Sequence, residues 1–239
     1  MIRRYLSLII FSLFVSNAIA QDLWISGTAV PGGTQKLTQL ADGDYKYAGR
    51  LNAGELRIMS TRKASKQTTY LVATVPDANI VNNGLAYVES KDAKSAAWQV
   101  LVSDSQYRFH LNTQHKQLRG EIVLPWGELF IAGGATEVGW KSEGQMLLMQ
   151  QSIDNPYVWK WEGELKRHPE VEEPTSFKFQ GQDRWYPKAI HPYHQGTDIL
   201  KDKTFRTGGS DTKWEISRDG RYRITVDLFN ETVHAELVK

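Results

Sequence analysis

Cysteine is absent from the 239 residues, and this absence limits both the interactions that can stabilise the chain and the chemistry that it can perform. Without thiols there is no disulfide framework and no cysteine nucleophile, so stability must come from buried cores. We also expect no lipid anchor on an N-terminal cysteine. A charge excess is missing as well, since 29 basic residues nearly balance 27 acidic ones. Nucleic acids and acidic membrane surfaces attract basic proteins, and this balance favours neither partner.

Long apolar runs are missing from all but the first 20 residues. Residues 6–15 form an apolar stretch of ten residues, about half of the roughly 20 that a membrane-spanning helix needs. Arg3 and Arg4 precede it and the small residues of a peptidase site, 18–20, follow it, an order typical of a signal peptide. We therefore expect the mature chain to begin at Gln21 and to be periplasmic, associated with the outer membrane or secreted.

Helical periodicity is also missing after residue 20, whereas alternation with a period of two recurs. From Tyr222 to Leu228 apolar residues alternate with polar ones, which places one set in a core and the other in water. Asp219-Gly220, directly before them, is a hairpin-turn signal. The sequence therefore predicts strands at residues 214–217, 221–228 and 232–237, and an all-β fold.

Three blocks of sequence occur twice in the same order, which argues against coincidence. The paired blocks are residues 22–33 with 128–140, 45–58 with 159–179, and 98–112 with 214–228. The aligned residues are Tyr45 with Trp159, Tyr47 with Trp161, Gly49 with Gly163, Leu51 with Leu165, Trp98 with Trp214 and Tyr107 with Tyr222. We therefore predict two tandem immunoglobulin-like β-sandwich domains, residues 21–123 and 127–239, joined around residues 124–127.

Aromatic residues are abundant, with eight Trp, ten Tyr and eight Phe. Such residues fill β cores or form surfaces on which sugars stack, and composition does not separate the two uses. Those that recur at the same place in both copies are predicted to be structural: Trp98, Trp214, Tyr107, Tyr222, Tyr47 and Trp161. Trp140 follows a glycine-rich turn and has no counterpart in the first copy, so packing and ligand stacking both remain open for it.

The two copies differ in the segments that precede their closing blocks, residues 76–97 and 180–213. We expect both to be long irregular connections, the usual place for binding residues on a rigid sandwich. The second is aromatic and charged, whereas the region of the first copy that corresponds to its start, residues 60–70, has no Trp. The second copy is therefore the better site. The candidate ligand-binding residues are Trp185, Tyr186, Trp140, Arg184, Asp183 and Lys188.

Other chemistries find weaker support. His191 and His194 are three residues apart, but no third ligand is evident and Pro192 enforces an extended loop, so no metal site and no cofactor are expected. Residues 170–173, rich in Glu, fit a solvated turn between strands. The linear motifs of serine hydrolases, phosphate-binding loops and zinc proteases are absent. A pair of glycosidase carboxylates would leave no linear motif, so that possibility stays open.

Five segments of the second copy together resemble a known family. They are "ELFIAGGATEVGW", "WKWEGELK", "FKF", "SDTKW" and "GRYRITVDL". Their order and spacing are similar to the repeated C-terminal domains of SusE/SusF-type glycan-binding outer-membrane proteins of Bacteroidetes polysaccharide utilisation systems. The resemblance implies tandem immunoglobulin-like sandwiches that bind starch or another polysaccharide without catalysis. It also makes an outer-membrane glycan transporter complex a candidate partner.

The leading hypothesis is therefore a non-catalytic carbohydrate-binding protein of a glycan utilisation system, exported and monomeric. A second hypothesis is a structural or adhesive β-sandwich protein whose aromatic residues only fill cores. A carbohydrate-active enzyme is the third. Solvent exposure of the aromatic side chains in residues 180–188 separates the first hypothesis from the second, because a ring sealed in a core cannot stack on a ligand.

Overall fold

The computed structural model describes residues 21–41, 43–92, 94 and 97–238, and the predicted signal peptide, residues 1–20, lies outside them. The chain divides between Glu121 and Ile122 into two compact units, called here the first unit and the second unit. The described residues form strands, turns and loops but no α-helix, which confirms the all-β prediction. Accordingly, no helix within them has the length and apolarity needed to cross a bilayer.

Ten strands build the described part of the first unit, and one hydrogen-bonded ladder connects them. They are β1 (Trp24–Ser26), β2 (Gln35–Lys36), β3 (Thr38–Ala41), β4 (Asp44–Leu51), β5 (Gly54–Met59), β6 (Tyr70–Ala73), β7 (Asn82–Ser90), β8 (Trp98–Val100), β9 (Ser105–Asn112) and β10 (Gln117–Ile122). The order is β2-β1-β5-β6-β7-β10-β9-β4-β3, and β8 pairs with β5. Strand β7 joins the two parts of this ladder: its residues 87–90 pair with β6, which leads to β5 and β1, and its residues 82–86 pair with β10, which leads to β9 and β4.

Eleven strands build the described part of the second unit, in two sheets. They are β11 (Phe130–Ala132), β12 (Leu147–Leu148), β13 (Gln150–Gln151), β14 (Val158–Leu165), β15 (Ser176–Gln180), β16 (Ala189–His191), β17 (Thr197–Asp198), β18 (Arg206–Thr207), β19 (Trp214–Glu215), β20 (Gly220–Asp227) and β21 (Thr232–Leu237). The larger sheet has the order β12-β11-β15-β16-β18, with β19 joined to β15 and β17; the smaller has the order β13-β14-β20-β21. Their facing side chains form the core.

Cross-strand registers repeat between the units, as the duplicated sequence blocks predict. The matched pairs are Gly49 with Tyr107 and Gly163 with Tyr222, and Leu56 with Trp98 and Phe177 with Trp214. A one-residue shift in register would turn every inward side chain of a strand outward. Chance is therefore a poor explanation for the same register at two separate ladders in both units. The two units therefore share one scaffold.

A glycine follows the first strand of each unit and has the same structural reason in both. Gly27 and Gly133 have positive φ angles of 123° and 149°. A Cβ atom at Gly27 would overlap the carbonyl oxygen of Glu55, and one at Gly133 would approach that of Ser176 within 2.6 Å. Only glycine lets the loop pass this close to the neighbouring strand in this conformation. The recurring Gly in the sequence thus marks a packing constraint.

Trp98 and Trp214 form the centre of the two cores, as predicted, and each is 0% exposed. Removing an indole from water buries roughly 200 Å², on the order of 5 kcal/mol of hydrophobic stabilisation. Burial also requires a partner for the indole N–H. Trp98 Nε1 donates to the Leu71 carbonyl at 2.9 Å, and Trp214 Nε1 donates to Asp202 Oδ2 at 2.7 Å. Both rings are structural.

Two buried tyrosines tie the closing hairpins. The hydroxyl of Tyr107 donates to the carbonyl of Val102 at 2.7 Å, and that of Tyr222 donates to the carbonyl of Arg218 at 2.6 Å. Each ring lies in the core while its hydroxyl satisfies the backbone of the preceding turn, the same use that immunoglobulin-like sandwiches make of a corner tyrosine. Burial raises the pKa of both hydroxyls from the usual 10.0, so both remain donors at neutral pH.

A second contact that repeats in both units joins an aromatic ring to a glycine two residues later in the same strand. These glycines, Gly49 and Gly163, lie opposite Tyr107 and Tyr222. In the first unit the Tyr47 ring lies over Gly49, and in the second the Trp161 indole lies over Gly163, so that a Cβ on either glycine would overlap the ring. A large ring covering a strand glycine replaces the packing that the missing side chain cannot supply. Tyr47 is buried, as predicted, whereas Trp161 packs against the core but stays half-exposed.

The predicted irregular connections contain more structure than expected. Residues 76–97 include β7, which has nine residues, and residues 180–213 include the short strands β16, β17 and β18. The prediction of wholly irregular segments was therefore wrong. In β7, Asn82, Asn83 and Gly84 weaken the strand signal, and tertiary pairing on both of its edges outweighs that local preference.

Gly133→Ala is expected to destabilise the second unit by about 2 kcal/mol or more, because the new methyl meets backbone atoms at a strained φ. Urea unfolding followed by tryptophan fluorescence measures the change. Gly127→Ala is the matched control, since nothing lies within 4 Å of a Cβ there; it should stay within about 0.5 kcal/mol of wild type. Equal stability of the two variants would contradict this account.

Candidate ligand-binding site

The outer face of the larger sheet in the second unit carries a charged residue at its centre. Phe177 and Phe179 of β15 point into the core, so Lys178 between them points to the opposite face. Lys178 is nevertheless only 5% exposed. It lies opposite Ala132 of β11 in the ladder. A lysine is almost never this buried without a charged partner, so the groups that cover it define the site.

Three loops fold over this face and deliver the covering side chains. The loop between β11 and β12 brings Trp140, and the loop between β15 and β16 brings Trp185 and Tyr186. The loop between β18 and β19, residues 208–213, brings Asp211 and Lys213 and is called here the capping loop. Residues far apart in the sequence thus meet on one face of one sheet.

Trp140, Trp185 and Tyr186 form the aromatic patch. The rings of Trp140 and Trp185 are 5.8 Å apart between centroids and inclined by 41°. Trp185 packs partly against Phe130 and Met146, which form a small apolar cluster on the same outer face. Tyr186 is 64% exposed. The patch therefore has a buried base and an open rim.

Two ammonium groups lie against these rings. Lys178 Nζ is 4.8 Å from the centroid of Trp185 and 5.8 Å from that of Tyr186. Lys213 Nζ is 5.5 Å from the centroid of Trp140. A cation at this distance is attracted by the negative ring face, by about 0.5–2 kcal/mol depending on solvent exposure. The lysines therefore fix the orientation of the rings from beneath.

Carboxylates neutralise both ammonium groups. Lys178 Nζ donates to Asp211 Oδ1 at 2.7 Å. Lys213 Nζ lies 3.6 Å from Asp211 Oδ2 and 3.2 Å from Glu173 Oε2. Since the charges of the patch are already paired within the protein, a bound anion or cation would have to compete with these ion pairs. A neutral ligand that offers hydroxyl groups would not.

Arg206 and His191 hold the capping loop in place. The guanidinium of Arg206 donates to the carbonyls of Gly208 and Ser210 at 2.7 and 3.0 Å. His191 Nδ1 lies 3.0 Å from the carbonyl of Thr212, so we assign the proton to that nitrogen. These bonds tie three backbone carbonyls of the capping loop to side chains of β16 and β18, and they position Asp211 over Lys178.

Protonation of this network follows from burial and charge. Burial opposes ionisation of Asp211, but the hydrogen bond and charge of Lys178, with the charges of Lys213 and His191, outweigh it and lower the pKa of the carboxyl from 3.8. Burial lowers the pKa of His191 from 6.5, although the Thr212 carbonyl and Asp211 oppose this effect. At neutral pH, Asp211 is therefore ionised and His191 is neutral.

The turn between β14 and β15 supports the patch from a third side. The Trp140 indole nitrogen donates to the carbonyl of Glu172 at 2.7 Å, and Glu173 pairs with Lys213. The glutamate-rich run at residues 170–173 does form a turn, as predicted. Its contribution to anchoring Trp140 was missed. Backbone carbonyls carry no sequence signal, so a motif search could not have found this contact.

The predicted site residues divide into two groups. Trp140, Trp185 and Tyr186 come together as the aromatic patch. Asp183 instead braces the loops, since its Oδ1 accepts the Met146 amide at 2.9 Å. Lys188 Nζ lies 5.8 Å from the ring of Trp126, outside the patch. Arg184 is exposed in the same loop, and its contact with a ligand stays a prediction, as does that of the other five.

Sequence reasoning missed Lys178, Asp211, Lys213 and Glu173. One signal was present: a lysine between two phenylalanines of a core strand must point away from the core, into whatever covers the sheet. Asp211, which pairs with Lys178, and Lys213, which pairs with Asp211, had no comparable signal, because both lie in a polar segment with glycine and serine that is typical of an ordinary loop.

The first unit has a sparser version of the same surface. Trp24 of β1, Met59 of β5 and Tyr70 of β6 form an apolar cluster on its outer face. Lys36 Nζ and the Arg62 guanidinium lie 5.9 and 5.8 Å from the Trp24 ring. Trp24 is half-exposed whereas Tyr70 is buried, so this surface presents a single indole where the second unit presents three rings.

The two histidines considered as metal ligands, His191 and His194, lie in different environments. His191 is buried and bonded to the backbone, whereas His194 is exposed. In the part of the chain that the structure describes, no group of three or more His, Asp or Glu side chains is arranged to hold a metal ion. The side chains at the patch are suited to stacking and hydrogen bonding.

The sequence matches none of the protein-family models and none of the curated proteins with which it was compared. Among solved structures, SusF from Bacteroides thetaiotaomicron is similar, with a TM-score of 0.43 and 11% identity. The match covers 92% of this chain and 49% of that chain, so this chain spans about half the length of SusF. A similarity this low does not assign the chain to a family, and the aromatic patch is the feature of the molecule that bears on its function.

Asp211→Asn is expected to destabilise the second unit at pH 7, and the difference from wild type should shrink in acid. The unfolded carboxyl titrates near pH 3.9, about its usual value, whereas the folded pKa is lower. As pH falls below about 4 the unfolded state takes up the proton first, and the stabilisation is lost as pH passes the folded pKa. Urea unfolding at pH 7, 4 and 3 measures it.

Asp154→Asn serves as the control, since Asp154 is exposed in the turn between β13 and β14. It should change stability little at any of these pH values. A difference between wild type and Asp211→Asn that is the same at pH 7 and pH 3 would show that the ionised carboxylate does not stabilise the capping loop.

Proposed function

We propose that this protein is a non-catalytic carbohydrate-binding protein that holds a polysaccharide or oligosaccharide on the aromatic patch of its second unit. The observation that carries the proposal is the joint position of Trp140, Trp185 and Tyr186, with two rings 5.8 Å apart and the third 64% exposed. Three rings converging on one outer face exceed what core packing requires, because the core of this unit is complete beneath the sheet.

The chemistry of the patch favours a sugar. One face of a pyranose ring is lined with C–H groups that stack on an aromatic ring, while its hydroxyls need donors and acceptors at the edge. The ammonium of Lys213 and the carboxylates of Asp211 and Glu173 supply both within the same surface. Because these charges are paired with one another, they can bind hydroxyls without demanding a charged ligand.

The protonation pattern favours binding over catalysis. A glycosidase acid needs a carboxyl with a raised pKa, so that it is protonated at the working pH. Among the described carboxylates with a displaced pKa, those of Asp211, Glu162 and Glu170, the displacement is downward in each case. Asp211, the one at the patch, is held ionised by Lys178, which suits a hydrogen-bond acceptor.

The proposed setting is that of an exported protein that captures glycan by itself or beside an outer-membrane transporter. Stacking on one or two rings gives weak affinity, since each ring contributes on the order of 1 kcal/mol beyond simple burial. Weak sites become useful when a polymer offers many copies of the same sugar. The half-buried indole of Trp24 on the first unit would then add a weaker contact.

Affinity electrophoresis tests the proposal with gels containing soluble starch, xylan, pectin or mixed-linkage β-glucan. The wild-type chain is expected to be retarded by at least one of these polymers. Tyr186→Ala, which removes the most exposed ring, should weaken retardation about 3- to 10-fold, as expected for losing about 1 kcal/mol. Its melting temperature should change little, because the ring is 64% exposed and its contact with Lys178 Nζ is a distant one, at 5.8 Å from the centroid.

Trp185→Ala should weaken retardation further, and its melting temperature reports how much of the effect comes from lost packing against Phe130 and Met146. Ile153→Ala is the control, because Ile153 is 98% exposed in the turn between β13 and β14 and should leave retardation unchanged. If no polymer retards the wild-type chain, or if Tyr186→Ala is retarded as strongly as wild type, the sugar-binding proposal fails and a structural or adhesive role becomes the better account.

A further inference from the structure

A cavity of about 310 Å³ opens into the second unit away from the aromatic patch. Its lining comes from β14, the first residue of β12, the second residue of β20, and the segments next to these strands. The lining includes Trp161, Gly163, Leu147, Glu137, Glu164 and Lys166. None of the three rings of the aromatic patch belongs to the lining, so this is a different site.

The cavity exists because β14 is longer than the strand beside it. Strand β13 has two residues and pairs only with Trp159 and Lys160. Beyond Lys160 the same edge of β14 has no strand partner among the described residues, although β14 continues to Leu165. The opening lies along this unpaired edge, and its mouth is polar while part of its wall is apolar.

The wall contains a flat aromatic surface. Trp161 lies against Gly163, where the absence of a side chain lets the indole lie flat along the strand. The indole also packs against the core of the unit, with Leu147 beside it, and is half-buried where it lines the cavity. A ring that packing already fixes loses little further freedom when a ligand stacks on it, which keeps the entropic cost of binding low.

The charges around the cavity are mixed. Glu162 is engaged by Arg221 and Arg223, each at 2.9 Å. Glu137, Glu164 and Lys166 are exposed at the rim. An anionic ligand would meet the carboxylates, and a cationic ligand would meet Lys166 and Arg221. A neutral ligand with several hydroxyls can donate to the carboxylates and accept from the cations at the same time.

We propose that this cavity is a second saccharide-binding site, in which one sugar ring stacks on Trp161 and its hydroxyls bond to Glu137, Glu164 and Lys166. The inference rests on the proposed carbohydrate-binding function and adds a site of a different kind. Ligand pockets span roughly 300–1,000 Å³, so this cavity takes one or two sugar units. The aromatic patch is open, whereas the cavity selects a short saccharide or the end of a chain.

Indole NMR signals of the whole chain test the inference, because each of the eight Trp gives its own ring N–H signal. Trp161→Phe assigns the signal of Trp161, and Trp185→Ala assigns that of Trp185. The probes are maltose, cellobiose and xylobiose at millimolar concentration. At least one disaccharide is expected to move the Trp161 signal to saturation, and Trp185→Ala should leave that response in place.

Glu164→Arg places a long side chain across the mouth from an exposed position, so folding should be unaffected. It should reduce the response of Trp161 at least fivefold while the response of Trp185 is preserved. Glu128→Arg, the same charge change at an exposed position outside the lining, is the control and should leave both responses unchanged.

The outcomes separate this inference from the proposed function. If the Trp185 signal responds to saccharides and the Trp161 signal does not, or if Glu164→Arg leaves the Trp161 response intact, the second site is overturned and the patch stands. If Trp161 responds to tetramethylammonium but to no disaccharide, the cavity is a cation site and the inference fails. If neither signal responds to any saccharide and no polymer retards the chain, the proposed function fails with it.

Discussion

The ammonium of Lys178 organises the outer face of the second unit. It lies in the middle of a core strand, shielded from water, and its charge is compensated by Asp211 at 2.7 Å and by the faces of Trp185 and Tyr186. An uncompensated charge at this depth would cost several kcal/mol, so the contacts of Asp211 from the capping loop, and of Trp185 and Tyr186 from the loop between β15 and β16, stabilise those loops where they lie over the sheet. The rings of the patch are therefore held by contacts within the protein.

Duplication supplies the scaffold, and divergence of the loops supplies the chemistry. Both units place a glycine after their first strand, a Trp at the centre of the core and a tyrosine at the closing hairpin. The same outer face in the first unit has Trp24 with Lys36 and Arg62 beside it. There the face presents a single half-buried indole, so the two units differ in the number of rings on this face although they share one scaffold.

The two candidate sites of the second unit use aromatic rings in opposite ways. In the patch, loops and lysines hold the rings above the sheet, an arrangement that suits the long ligand we propose. In the cavity, the indole of Trp161 stays at the level of the strand beside an unpaired edge and a glycine, which suits the short saccharide we propose. In both, carboxylates and cations occur together, so hydroxyl groups find donors and acceptors while net charge stays low.

The sequence by itself determined the duplication, the strands of the repeated blocks and their inward residues, because alternation with a period of two and turn glycines act locally; it did not reveal β7 or the short strands β16, β17 and β18. Trp98 and Trp214 could be assigned to cores since each sits at the same place in both copies. It also pointed to Trp140, Trp185 and Tyr186, but not to Lys178, Asp211 or Lys213. Only the tertiary structure decided that these six side chains meet, and that Trp161 borders a cavity while Trp159 is buried. The reason is physical: exposure of a ring depends on which loops cover the sheet and where a neighbouring strand ends, and both are set by contacts between residues distant in the chain.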